Sequence, residues 1–363
     1  MSQGGLSPPI AGDHSRFIGL QILRFVAATF VVVDHAVLDA THHSSKSDKL
    51  LGMLIEFGGV GVIVFFGISG FIMVHTQFQH FGSIKSSSDF LLRRLIRIVP
   101  LYAIATSLQY ANKMNIGGAY NIGNYAKSLL FIPYLDDSGA FRPVLSQGWT
   151  LNYEMFFYLI FGLTLMLPAA SGLLLSTCFF AALVLLNPLL GNDHTLAGFY
   201  TNQILLYFVC GMIAAVIRRI YLVEIRRAST TGWLVVLVMA LLAAGRSILP
   251  DLLYIPLSVV CVFLCVYLCS VLKYEKEGPF QKIFENLGNA SYSTYLFHGF
   301  ALGASKFLSN RIDGSSYFVV FAFICYAVVV ANAAGFLVYS LVETPLVRQF
   351  NLRYRALRNA MSG

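Results

Sequence analysis

FIGLQILRFVAATFVVVDHAVL, Phe17 to Leu38, is the stretch whose reading decides the fold. A helix needs about 20 mostly apolar residues to cross the hydrocarbon core of a bilayer, and this run is long enough. It nevertheless carries Arg24, Asp34 and His35. At about 100° per residue, the eleven steps from Arg24 to His35 return to within ~20° of the starting direction and rise ~16 Å. Both side chains therefore share one helix face. A guanidinium and an imidazole are costly in hydrocarbon, so such residues usually face a bundle interior and mark function. The plainer alternative is an arginine reaching the interface and a histidine satisfied by a neighbouring helix.

The rest of the chain agrees with a membrane reading. Of 363 residues, 57% are hydrophobic and 12% charged, where soluble domains carry about 25% charged residues. Phe (30) and Tyr (19) are abundant, as expected where rings sit at lipid and headgroup depth. The polar, Gly- and Pro-bearing residues 1–16 lack the form of a cleavable signal, so Phe17–Leu38 reads as an uncleaved first helix. The fold expected is all-α, one polytopic bundle with its core over 17–348, a polar tail 1–16 and a basic tail 349–363.

Apolar runs predict ten spans, near 17–38, 55–78, 98–112, 148–167, 170–190, 198–218, 230–246, 252–272, 286–308 and 317–342. Tyr125–Leu135 is too short to span and reads as re-entrant or interfacial. With both termini cytoplasmic, sixteen Lys and Arg fall in inner segments and eight in outer ones. That bias follows the positive-inside pattern and accounts for the net charge of +8 without nucleic acid. The six cysteines, Cys178, Cys210, Cys261, Cys265, Cys269 and Cys325, all lie in apolar runs. With no CxxC or adjacent histidine they read as small packing residues, and no metal site is expected.

Several segments carry groups able to do chemistry. In FGGVGVIVFFGISGFIMV most glycines read as close helix packing, while Ser69 is a candidate cavity residue. Arg93, Arg94 and Arg97 cluster at the start of the third span, with Ser88 or Asp89 as candidate caps. Interfacial anchoring and phosphate docking explain the cluster equally well. In GWTLNYEMFFY, Trp149, Tyr153 and Phe157 form an i, i+4, i+8 aromatic stripe that suits packing or the membrane interface. Glu154, a carboxylate in apolar surroundings, is a candidate to orient His35. Ser291, Tyr295 and His298 share one face of the ninth span and read as a polar cavity wall. Glu343 and Pro345 read as a helix stop with a local ion pair.

Taken in order, Arg24 and His35 eleven apart, FFGISGF (Phe65–Phe71), Arg94-Leu95-Ile96-Arg97, WTLNYEMFFY (Trp149–Tyr158), SYSTYLFH (Ser291–His298) and VETP (Val342–Pro345) resemble the acyltransferase-3 family of membrane acyltransferases. GLQILRFVAA, RRLIRIVPLY and GWTLNYEMFFY are most similar to its bacterial exopolysaccharide O-acetyltransferase subgroup. The resemblance implies a ten-helix bundle in the bacterial inner membrane. It implies transfer of an acyl group, usually acetyl, from cytoplasmic acyl-CoA to a sugar hydroxyl of a surface glycan or its lipid-linked precursor. No permanently bound cofactor is implied; acetyl-CoA is the donor substrate. The family's essential His and Arg fall on His35 and Arg24, and its Arg-x-x-Arg on Arg94 and Arg97. Some members carry a further soluble hydrolase-like domain, which a sequence ending at Gly363 is expected to lack.

A mechanism follows as an expectation. His35 acts as general base on the sugar hydroxyl, held by Glu154. Arg94 and Arg97, with Arg93 beside them, grip the phosphates of acyl-CoA, and Arg24 lines the route of its pantetheine arm. Ser69 and Tyr295 are candidate oxyanion donors. Ser69, Trp149, Tyr153, Ser291, Tyr295 and His298 are the candidate acceptor contacts. A covalent acyl-histidine stays open beside direct transfer. The competing class is a transporter or glycan flippase, which also needs buried charge and a polar cavity. A structural or sensor protein, a third class, would tolerate loss of His35 and Glu154.

Overall fold

The computed structural model describes residues 17–41, 49–115, 121–192, 194–221, 225, 228–273, 278–304 and 317–362. The basic residues Arg16, Lys46, Arg226, Arg227, Lys276, Lys306 and Arg311, used above for orientation, lie outside the described residues. The described chain is helical, without a named strand. In order the helices are α1 (Ile18–Thr41), α2 (Lys49–Gln77), α3 (Ile84–Asn115), α4 (Ile122–Leu129), α5 (Trp149–Thr164), α6 (Ala169–Leu185), α7 (Asn187–Leu190) and α8 (Leu196–Tyr200). After them come α9 (Leu205–Ile220), α10 (Ala228–Arg246), α11 (Asp251–Val271), α12 (Pro279–Asn289) and α13 (Ser291–Ala304). The last are α14 (Tyr317–Val338), a π-helical turn (Tyr339–Glu343) and α15 (Thr344–Ser362).

Five stretches are long and apolar enough to cross a membrane: Ile18–Ala40, Gly52–His80, Leu196–Ile220, Asp251–Val271 and Phe318–Arg358. Ala169–Leu185 and Thr230–Arg246 are shorter apolar helices. Together they describe a multi-pass membrane protein. Its exterior carries lone large apolar side chains such as Leu174, Trp233, Leu252 and Phe318, all exposed. Hydrocarbon, unlike water, solvates such groups.

The centre is α2, wedged between α1 and α9. Its glycines make that possible. A Cβ on Gly61 would strike the carbonyl of Ala27 in α1, and one on Gly70 the carbonyl of Phe208 in α9. Gly211 of α9 returns the fit against the Gly67 carbonyl. Small residues at these points let backbones approach, the packing that replaces the hydrophobic effect inside a membrane. Phe157 stacks on Phe208 with ring centroids 4.2 Å apart and closes the core on the α5 side.

Contacts define two ends of the bundle. At the Arg24 end, the Arg218 guanidinium lies over the Phe17 ring at 4.9 Å and Arg219 over Phe78 at 4.0 Å. The Arg218 Nε donates to the Ser270 carbonyl at 2.8 Å. Asp89 accepts a hydrogen bond from Tyr354 and pairs with Arg358 at 3.0 Å, which docks α15 against α3. The His35 end carries the turn between α10 and α11, where Arg246 pairs with Asp251.

Three expectations are corrected. The ninth apolar run, 286–308, divides at Ala290 into α12 and α13, which brings Ser291 to the start of a new helix. Helix α3 begins at Ile84, so Ser88 and Asp89 lie inside it and do not cap it. Asp89 is instead the anchor of α15. The chain does not stop at Glu343 and Pro345: the π-turn feeds straight into α15, with Pro345 just after the turn, where a proline lacking an amide hydrogen interrupts the regular α-helical bonding. The segment read as a basic tail is therefore a docked helix through Ser362.

Candidate active site

A cavity of about 110 Å³ opens between α1, α2, α3, α5 and α13. Its polar lining is Arg24, Arg94, Arg97, Ser69, Glu154 and Tyr158, with Thr150, Ser291, Tyr292 and Tyr295 closing the wall. Local sequence explains each placement. Arg94 and Arg97 sit three apart on α3 and so point the same way. Ser69 is carried by the α2 turn between Gly67 and Gly70, where both glycines are spent on contact with other helices. Glu154 and Tyr158 are four apart on α5 and meet each other.

The charges are held by one another. Tyr158 donates its hydroxyl to Glu154, and the Ser69 Oγ donates to the Glu154 Oε1 at 3.2 Å. The Arg94 guanidinium lies 5.7 Å from the ring centroids of both Phe90 and Tyr158. Arg24 donates to the Gln21 Oε1 at 3.4 Å, a long bond that leaves most of its donors free. Three guanidinium groups against one lining carboxylate leave a surplus of positive charge and planar donors. That combination suits a phosphate or a carboxylate.

Glu343, read from the sequence as a helix stop with a local ion pair, belongs with the arginines. It is buried and accepts a hydrogen bond from the Ser293 Oγ at 2.5 Å. Arg97 and Arg24 are close enough for their charge to act on it. Its role is thus to balance the arginines from behind the cavity wall. The signals in the sequence were the VETP segment and a carboxylate at the end of an apolar run, which is also how a helix stop looks.

His35 is not in this cavity. Val31, on the same face of α1 as both Arg24 and His35, is buried in the core between them. The rise of ~16 Å along the helix therefore separates the two groups instead of lining one continuous hollow. The imidazole side chain is 46% exposed. Its Nδ1 sits 2.9 Å from the Val31 carbonyl oxygen. A carbonyl only accepts, so Nδ1 carries the proton and Nε2 keeps a free lone pair. Asp34 Oδ2 lies 3.6 Å from the same Nδ1, within ion-pair reach of a protonated ring.

The partner of His35 is His298, not Glu154. The two imidazole rings meet edge to face with centroids 4.8 Å apart. His298 is buried, and its Nδ1 donates to the Tyr295 carbonyl at 2.7 Å. Glu154 is on the wrong side of the divide. Thr150, one turn before it on α5, already meets the Tyr295 hydroxyl at 2.8 Å. From that point α5 carries Glu154 ~6 Å away, while α13 carries His298 ~4.5 Å the other way. Tyr295 thus bounds both regions: its ring lines the cavity and stands 6.0 Å from the His298 ring. Its hydroxyl also donates to the Gln147 carbonyl at 2.9 Å.

Of the remaining candidates, Ser69, Ser291 and Tyr295 line the cavity, and the buried Ser291 hydroxyl has no partner among the described residues. Arg93 does not line it. It is exposed on the outer face of α3, near Tyr354 of α15. Trp149 and Tyr153 do not line it either. Tyr153 stacks on Phe199 at 4.1 Å and donates to its carbonyl at 2.9 Å, and Trp149 packs against the Tyr153 edge. That stripe serves to hold α8 against α5.

Comparison with known proteins places the chain in a family. The family model described as an acyltransferase domain matches residues 17–334. The exopolysaccharide production protein ExoZ of Rhizobium meliloti (strain 1021) is 31% identical over 317 residues, covering 83% of this chain and 93% of that protein. No solved structure matches the chain. The match begins at the first residue of the opening apolar run and takes in α1, α2, α3, α5 and α13, the helices that build the cavity and carry both histidines. This chain belongs to the acyltransferase domain family.

Proposed function

We propose that the protein transfers an acetyl group from acetyl-CoA to a hydroxyl of an exopolysaccharide sugar or of its lipid-linked precursor. One observation carries the reading: an arginine-lined cavity and the His35 imidazole lie on either side of the Tyr295–His298 pair, Tyr295 lining the cavity and His298 meeting the His35 ring. The cavity holds only part of a molecule as long as acyl-CoA. Arg94, Arg97 and Arg24 suit the negative charge and carbonyl groups of its near end. A sugar hydroxyl is a weak nucleophile at neutral pH. His35 Nε2 takes its proton as the oxygen attacks the thioester carbonyl carbon. The C–S bond breaks, CoA leaves as a thiolate, and the ester remains on the sugar. The Asp34 carboxylate stabilises the imidazolium formed in between.

The same reading has ten membrane crossings in a bacterial inner membrane, with both termini in the cytoplasm. Its support is the clustering of Arg218, Arg219, Arg94, Arg97 and the Arg358–Asp89 pair at the Arg24 end, the pattern expected of a cytoplasmic face. Donor then enters from the Arg24 end and acceptor meets His35 at the other.

The test is mass spectrometry of exopolysaccharide from cells with and without the protein. A gain of one acetyl group per repeat is expected with the native chain and not with His35→Ala. Unchanged polysaccharide in all three strains would end the reading.

A further inference from the structure

A second cavity, of about 150 Å³, lies at the His35 end and plays no part in the site above. Its polar lining is Glu56 of α2, Asn202 and Gln203 before α9, Tyr207 of α9, and Arg246 and Tyr254 across the α10–α11 turn. It is near the histidine. Gly58, two residues after Glu56, packs directly on the Asp34 carboxylate, and the charge of Glu56 acts on Asp34. Only the width of one helix, roughly 10 Å, separates the cavity from the face of α1 that carries His35.

The chemistry of this lining differs from that of the arginine cavity. The half-buried side chains of Glu56 and Gln203 make no hydrogen bond among the described residues. Arg246 is already neutralised by Asp251 and lies 5.1 Å over the Tyr254 ring. Glu56 opposes a phosphate, so an anion is disfavoured. One carboxylate among amides does not make a metal site, and a lining this polar does not suit a lipid tail. A carboxylate that makes no hydrogen bond among the described residues, an amide and two tyrosines instead match an uncharged polyol, whose hydroxyls donate to the carboxylate and exchange hydrogen bonds with the amide.

We propose that this cavity is a sugar-binding subsite, in which Glu56 and Gln203 hold one unit of the glycan acceptor while a neighbouring unit presents its hydroxyl to His35. The subsite rests on the acyl-transfer reading for its role, though not for its chemistry. A glycan of several units is long enough to occupy the cavity and the histidine together. Holding the chain away from the reacting hydroxyl fixes which unit is modified.

The experiment uses the full-length protein in nanodiscs. The probe is an oligosaccharide cut from exopolysaccharide of cells lacking the protein, so that its hydroxyls are free. Glu56→Gln and Gln203→Ala are each expected to raise the KM for this oligosaccharide about 10-fold, the size of one lost hydrogen bond to a charged or buried group. KM for acetyl-CoA should not move. A diazirine-bearing copy of the oligosaccharide should label the segment around Gln203 in the native protein. If the native protein transfers acetyl but neither variant shifts the oligosaccharide KM and no label reaches that segment, the subsite is refuted and the acyl-transfer reading stands. If the native protein transfers nothing while the label still enters the cavity and free oligosaccharide displaces it, the acyl-transfer reading fails and the sugar subsite survives. Gln203→Ala removes no charge and guards against a Glu56 variant that fails to fold.

Discussion

The two ends of the bundle handle charge in opposite ways. At the Arg24 end three half-buried arginines surround a small cavity, among two carboxylates that are themselves held by Tyr158, Ser69 and Ser293. At the His35 end the reactive imidazole is half exposed, and its charge partner, Asp34, is the adjacent residue of the same helix. The difference follows from what each end handles. Buried cations need carboxylates fixed in advance, because leaving one unpaired is costly. A base needs a free nitrogen and access, and the backbone carbonyl of Val31 secures the tautomer without further residues. The Arg24 end is thus prebuilt, and the His35 end is open.

The largest effect should come from His35→Ala, which removes the base and leaves the cavity intact. Acetyl transfer is expected to fall about 10²–10⁴-fold, the range of a lost general base, with membrane insertion unchanged. Residual transfer above that range, measured by polysaccharide mass spectrometry, would move the base elsewhere. Next is Glu343→Ala. Removing one partner of a buried charge network typically costs ~3–5 kcal/mol, so thermal stability of the detergent-extracted protein should drop clearly. Restoring stability by a second change, Arg97→Met, would show that the cost lies in the unpaired cation.

The double variant Arg94→Ala with Arg97→Ala sharpens the comparison most directly. Each charged hydrogen bond contributes about 1.5–3 kcal/mol, so KM for acetyl-CoA should rise at least ~10-fold while KM for acceptor stays put. A change in acceptor KM alone would reverse the assignment of the two ends. The smallest effect is expected from Asp89→Ala. It releases the exposed Arg358 pair and the Tyr354 bond that dock α15 on α3. Surface ion pairs contribute ~0–1 kcal/mol, so global stability should barely move. Limited proteolysis of the C-terminal helix should nevertheless speed up.

Much of the site was legible because α-helix periodicity is local. The common face of Arg24 and His35, the Arg94–Arg97 pair and the Ser291–Tyr295–His298 face all follow from spacing alone, but only Arg94 and Arg97 stay together at the cavity; each of the other two faces is shared between the cavity and the His35–His298 contact. Ser69 was legible because it stands between two glycines that had to be used for packing. Glu343 was not legible, since a carboxylate ending an apolar run reads as a boundary until Ser293 and the arginines are seen around it. Trp149 and Tyr153 read both as a packing stripe and as candidate acceptor contacts, and they pack toward Phe199 outside the cavity. A stripe facing α8 and a stripe facing a cavity have identical periodicity.

By itself the sequence determined that the chain is a helical membrane protein, which residues share a helix face, and which polar groups hydrocarbon would not tolerate. These follow from hydropathy and a 3.6-residue turn, which each segment carries within itself. Only the tertiary structure decided which faces meet: that Val31 parts Arg24 from His35, that His298 and not Glu154 touches His35, and that Glu56 faces a cavity of its own. Those outcomes depend on the offset of one helix along another, set by glycines that let backbones touch at particular levels, and no single segment encodes that level.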